Sequence, residues 1–183
     1  MTGFTLPFRL PDLRRRAGPA VLSLAAAGVV VTAFNAPLAA QSTAYARTAP
    51  NDMSLCAPGK GPAVRIAVSG LKSSSGNVFA RVYHPRSGDW LKSKRYILRV
   101  DAAPREGGMT VCVPLPSAGE YAIAVSHDAN GNRKTDLSTD GAGISNNPKI
   151  NKILGIPRPP SVEKARFTAG EGVTRMAIAI QYL

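Results

Sequence analysis

The run His127-Asp128-Ala129-Asn130-Gly131-Asn132-Arg133-Lys134-Thr135-Asp136 sets oxygen-bearing groups at alternate positions. Counted from Asp128, the side chains of Asp128, Asn130, Asn132 and Asp136 fall at positions one, three, five and nine, with the Lys134 carbonyl at seven. A hard divalent cation takes about six to eight oxygens, and alternate residues of a tightly wound loop converge on one point, so the spacing points to calcium. The loop departs from an EF-hand, because Arg133 stands where that loop has glycine and Thr139 where it has a bidentate glutamate. Asp140, Asn146 and Asn147 from the following segment are candidates to complete the shell. The metal-free alternative is an Asx-rich turn, since Asn-Gly favours positive φ. Both readings stay open on sequence alone.

His127 beside Asp128 could also serve a metal-assisted hydrolase, provided that His84, which precedes Pro85, converges with it. A carbohydrate-active protein is the other catalytic alternative, but glycosidase chemistry needs two carboxyls at a set separation. Acids number only 11, and most lie in turns or beside bases. No Ser/His/Asp order, Gly-rich phosphate loop or Cys-x-x-Cys pair is present. The residues therefore favour a binding or structural module over an enzyme.

The elements that would position this loop read as strands. Beyond Gly61 the hydrophobic period is two, in AVRIAVSGL, NVFARVYH, RYILRV, MTVCVPL, EYAIAVSH, ARFTAG and VTRMAIAIQYL. The first two are expected to form a hairpin across SSSGN, and SVEKA over 161–165 a helical turn. Seven short runs joined by Gly, Pro, Asn and Asp turns predict an all-β, seven-stranded antiparallel β-sandwich. Its core is expected from Val64, Ile66, Val68, Val82, Tyr121, Ile123, Val125, Met176, Ile178 and Ile180, with Trp90 and Leu91 plugging one end. The aperiodic 137–160 segment reads as a wrap packing Ile150, Ile153, Leu154 and Ile156 on the sandwich.

Residues 1–46 read as a signal peptide. Four arginines from Arg9 to Arg16 precede the apolar run Ala20 to Phe34, and Ala44-Tyr45-Ala46 offers a cleavage site before Arg47, with Ala39–Ala40 as runner-up. The apolar run is shorter than the ~20 residues a spanning helix needs, so no stable membrane span is expected after cleavage. The organisation is thus 1–46 signal, 47–60 Pro/Gly-rich lead, and 61–183 sandwich domain with the long 137–160 loop. Export to the periplasm or the extracellular space follows, and the oligomeric state is left open.

With 23 Lys and Arg against 11 Asp and Glu the chain carries +12, and loss of four arginines and one aspartate with the signal leaves +9. The bases, among them Arg81, Lys92, Lys94, Arg95 and Arg99, are not interleaved with aromatics. That argues against nucleic acid and towards anionic components of the cell envelope. Cys56 and Cys112, an even pair after export, predict one disulfide closing the lead onto a strand.

Together VSGLKSSSGNVFARVY (68–83), LPSAGEYAIAVSHDANGNRKTD (115–136), GISNNPK (143–149) and the closing AIAIQYL resemble a family of exported bacterial proteins, domain of unknown function family 2141 (DUF2141). The resemblance implies export and a β-sandwich similar to transthyretin-like or immunoglobulin-like modules. It implies no activity.

Overall fold

The computed structural model describes residues 44–136, 138–154 and 156–182. The expected signal peptide therefore lies, but for its last three residues, outside the described residues. Elements in chain order are β1 (Arg47–Pro50), a 3-10 turn (Met53–Cys56), β2 (Ala63–Leu71), β3 (Asn77–Tyr83), β4 (Leu98–Ala102), β5 (Gly107–Pro114) and β6 (Gly119–Asp128). There follow β7 (Gly141–Ile144), β8 (Asn151–Ile153), β9 (Ile156–Arg158), α1 (Val162–Ala165), β10 (Arg166–Ala169), β11 (Val173–Ala179) and β12 (Gln181–Tyr182). The protein is all-β apart from these single helical turns.

The strands form three sheets. The largest runs β1-β4-β3-β6-β7-β12, with β10 also paired to β6; the second is β11-β2-β5, and β8-β9 is a separate hairpin. The expected β2–β3 hairpin is not formed: β2 pairs with β5 and β11, whereas β3 pairs with β4 and β6. Both strands bury one face, and alternation alone does not choose a partner. Nor is pairing antiparallel throughout, because β1 runs parallel to β4 and β11 parallel to β2. Twelve strands replace the seven expected runs among the described residues.

Alternation decides what each strand buries. Val64, Ile66 and Val68 of β2, Val111 and Val113 of β5 and Ile178 of β11 join Val78, Ala80, Val82, Leu98, Val100, Ile123 and Val125 of the large sheet in one core. Every predicted core residue lies there, Met176 only partly buried. Complete burial of Ile66, Ile123 or Ile178 is worth about 1.5–3 kcal/mol each relative to an exposed side chain.

The opposite face of the large sheet carries a smaller cluster of Tyr83, Trp90, Ala122, Ile144, Val162 and Ala165. Trp90 seals it, with its ring edge-on to Tyr83 at 5.3 Å and its indole N–H donated to the Pro160 carbonyl at 2.9 Å. Leu91 is 37% exposed and plugs nothing. The apolar residues of the long loop also fail to pack as expected: Ile153, Leu154 and Ile156 are 53%, 97% and 62% exposed on the β8–β9 hairpin. The two short strands pair only with each other among the described residues and add no strand to the larger sheets.

Cys56 and Cys112 lie at bonding distance with their Cα atoms 5.8 Å apart, buried with Ala63. The Asn51 side chain reinforces this closure, accepting the Cys112 N–H and donating to the Thr110 carbonyl.

Candidate functional site

The end of β6 directs His127 and Asp128 to opposite faces of the large sheet, as strand alternation requires. His127 is fully buried. One ring nitrogen, Nε2, lies 2.9 Å from the Ser75 carbonyl, which only accepts, so Nε2 carries the proton. That leaves Nδ1 to accept the Tyr182 hydroxyl at 2.5 Å, while the same hydroxyl accepts the Lys72 N–H. Both nitrogens of the imidazole are thus held by structural partners. Tyr182 did not figure among the sequence candidates, and only its place in the period-two C-terminal run points inward.

His84 lies at the other end of the β3–β6 pair. Tyr83, next to His84, stands opposite Ala122, and Val78 stands opposite His127, which separates the two histidines by six strand residues, roughly 20 Å. They do not converge. The His84 Nε2 is buried without a hydrogen-bond partner, and burial, with Arg86 adding to it against Asp89, holds its pKa below the usual histidine value.

Asp128 faces the loop. Its carboxylate is 2% exposed; Oδ2 accepts the Arg133 N–H at 2.9 Å, and Oδ1 is buried with no partner. Arg133 reaches back through a left-handed φ of 60°, and Gly131 turns the chain at φ 74°. Gly76 at the β2–β3 connection must also be glycine, because a Cβ there would stand 1.9 Å from the Asp128 carbonyl oxygen.

The other expected ligands are nearby but satisfied among themselves. Both the Asn130 and Asn132 amides donate to Asp136 Oδ2, at 2.8 and 2.6 Å, and their oxygens accept the N–H groups of Asn132 and Lys134. These amides hold the Asp136 carboxyl below the usual carboxylate range, Asn130 first. Asp140 closes the loop, accepting the N–H groups of Ala129 and Asp136. Asn146 and Asn147 stand elsewhere: Asn146 donates to the Lys164 and Arg166 carbonyls, and Asn147 brackets β11 through the Ala177 carbonyl and the Ala179 N–H. Each has a positive φ at the end of β7, so the turn there aims both amides at neighbouring strands. A cavity of about 80 Å³ lies between Asp128, Asp136, Asp140, Ser126 and the bases Arg81 and Arg133. No cluster of three or more His, Cys, Asp or Glu side chains in metal-binding reach occurs among the described residues.

Of the bases noted in the sequence, Lys92, Lys94, Arg99 and Arg81 line one groove on the outer face of the large sheet. Arg95 instead pairs with buried Asp89 at 2.8 Å and lies over the Tyr45 ring.

An all-β domain closed by one cysteine pair, with an Asx-rich loop at the end of a central strand, defines the class. The family profile described as "Uncharacterized protein conserved in bacteria (DUF2141)" matches residues 66–177, and the chain belongs to that family. No curated protein and no solved structure matches it.

Proposed function

We propose that the protein is an exported envelope module, a β-sandwich of transthyretin-like or immunoglobulin-like type, whose 128–136 loop takes calcium and so locks the end of β6. The observation that carries this reading is the Asp128 Oδ1 oxygen, buried and unpartnered at the loop's base. An ionised oxygen kept from water without a partner costs several kcal/mol, and a cation in the adjoining space would offset that cost. Asp128, Asp136 and the Asn130 and Asn132 amide oxygens would supply ligands, with the Lys134 carbonyl between them. Arg133 and Lys134 weaken the local field, so affinity belongs to the weak class of extracellular modules.

The sandwich type is supported by the single core shared between the two larger sheets. The Tyr121 hydroxyl also donates to the Ser117 carbonyl, four residues upstream. A tyrosine bonded back to the chain in this way is a mark of Greek-key sandwiches. Export is supported by the cysteine pair and the basic-apolar leader. Tyr45 bears on where the leader ends. Its hydroxyl donates to buried Asp89 at 2.9 Å, and the Ala46 N–H donates to the Tyr96 carbonyl at 2.7 Å. Those contacts favour cleavage near Ala39–Ala40 over Arg47.

A calcium titration followed by backbone amide NMR tests the loop. Saturable shifts confined to Asp128 through Asp140 are the expected result. An unchanged spectrum at millimolar calcium would refute the ion site and leave the Asx turn.

A further inference from the structure

We infer that the groove on the outer face of the large sheet binds an oxyanionic ligand, carrying carboxylate or phosphate groups, with Arg81 as its principal contact. The groove encloses about 630 Å³, within the range of small-molecule sites. Arg81 and Arg99 line it from the sheet, together with Lys92, Lys94 and Arg133 and the rings of Tyr96 and Pro157.

The sheet places like charges together. Arg81 and Arg99 are register partners on β3 and β4, so their side chains leave the same face directly opposite one another. Such a pair destabilises a sheet unless something neutralises it. Arg99 is neutralised, since its guanidinium donates twice to Asp101, at 2.6 and 2.8 Å. Arg81 is not: no carboxylate lies within 4 Å of it among the described residues, and its one side-chain hydrogen bond there goes to the Ser126 hydroxyl at 2.9 Å.

A guanidinium presents five N–H donors in a planar fork suited to a carboxylate or phosphate. Arg81 is half-buried at mid-sheet, and burial, with Arg99 adding to it, draws its pKa below the ordinary arginine value. A surface base in water would not be shifted in this way. Both guanidinium groups lie over the Phe79 ring, Arg81 at 5.2 Å and Arg99 at 4.8 Å. It holds both forks in place without supplying negative charge. An entering oxyanion would supply it, with exposed Lys92, Lys94 and Arg133 steering the approach.

This inference does not depend on the calcium reading, although Arg81, Ser126, Arg133, Thr135 and Ala142 border both sites. Its test is therefore made in calcium-free buffer at fixed ionic strength. The mature protein is titrated calorimetrically with citrate, inorganic phosphate and trigalacturonate, alongside Arg81→Gln, Arg81→Lys and a Lys60→Gln control. At least one probe should saturate at one site per chain. Arg81→Gln should weaken that probe by about 10-fold or more, Arg81→Lys by less, and Lys60→Gln not at all. Tight citrate or trigalacturonate with weak phosphate assigns a carboxylate ligand, and the reverse a phosphate. Should Arg81→Gln not fold, Arg81→Lys carries the test, since it keeps the charge and loses the fork. Saturation by no probe, equal binding by the folded Arg81 variants, or an equal loss in Lys60→Gln would overturn the inference.

Discussion

The Tyr182 hydroxyl lies 2.5 Å from His127 Nδ1 and ties the last strand to the buried end of β6. One oxygen donates to the imidazole and accepts the Lys72 N–H, so three segments distant in sequence meet on it. Tyr182→Phe keeps the ring and leaves a buried nitrogen unpaired. We expect a loss of about 1–3 kcal/mol in urea unfolding. Unchanged stability would mean that His127 finds another partner.

How far the sequence foretells this arrangement depends on the element. AVRIAVSGL coincides with β2, and EYAIAVSH lies within β6, because clean alternation over seven or more residues has one structural solution. RYILRV begins too early: the chain becomes a strand only at Leu98. β7 escapes notice because GAGI has no alternation to read. Gly141 and Gly143 are small because Ile180, Tyr182 and Ile178 fill the space where their Cβ atoms would be, a constraint set 35 or more residues away. The loop oxygens were visible as a spacing, but the turning of the Asn130 and Asn132 amides onto Asp136 is decided by geometry that spacing does not carry. The Arg81–Arg99 pair required the register of β3 on β4.

His84 makes stability depend on pH. Its folded pKa is depressed, chiefly by burial, so the unfolded chain binds the proton more readily. The stability this group contributes is complete above its unfolded pKa, about 6.5, and is lost as pH falls below that value. Urea midpoints compared at about pH 7.5 and about pH 5.5 should fall more for wild type than for His84→Phe, which keeps the ring. Parallel losses would show that other groups govern that range.

The cysteine pair closes a sequence separation of 56 residues. Loop-closure entropy gives such a link about 4 kcal/mol. Reduction, or a Cys56→Ser, Cys112→Ser double variant, should lower the unfolding free energy by that order, and the intact protein should gain two mass units on reduction. Two free thiols in the protein purified without reductant would contradict the pairing.

If Asp128 and its neighbours hold calcium, a thermal melt reads the ion as added stability. Extracellular-type sites bind with constants of roughly 0.1–1 mM. At ten times such a constant the ion stabilises the fold by about 1.4 kcal/mol, a shift of a few degrees for a domain of this size. The mature protein is melted in calcium-free buffer, in calcium and in magnesium at matched ionic strength, beside an Asp128→Ala, Asp136→Ala double variant. The melting temperature should rise by a few degrees in calcium, by less in magnesium and not at all in the variant. One melting temperature for the wild type in all three buffers would contradict the calcium site.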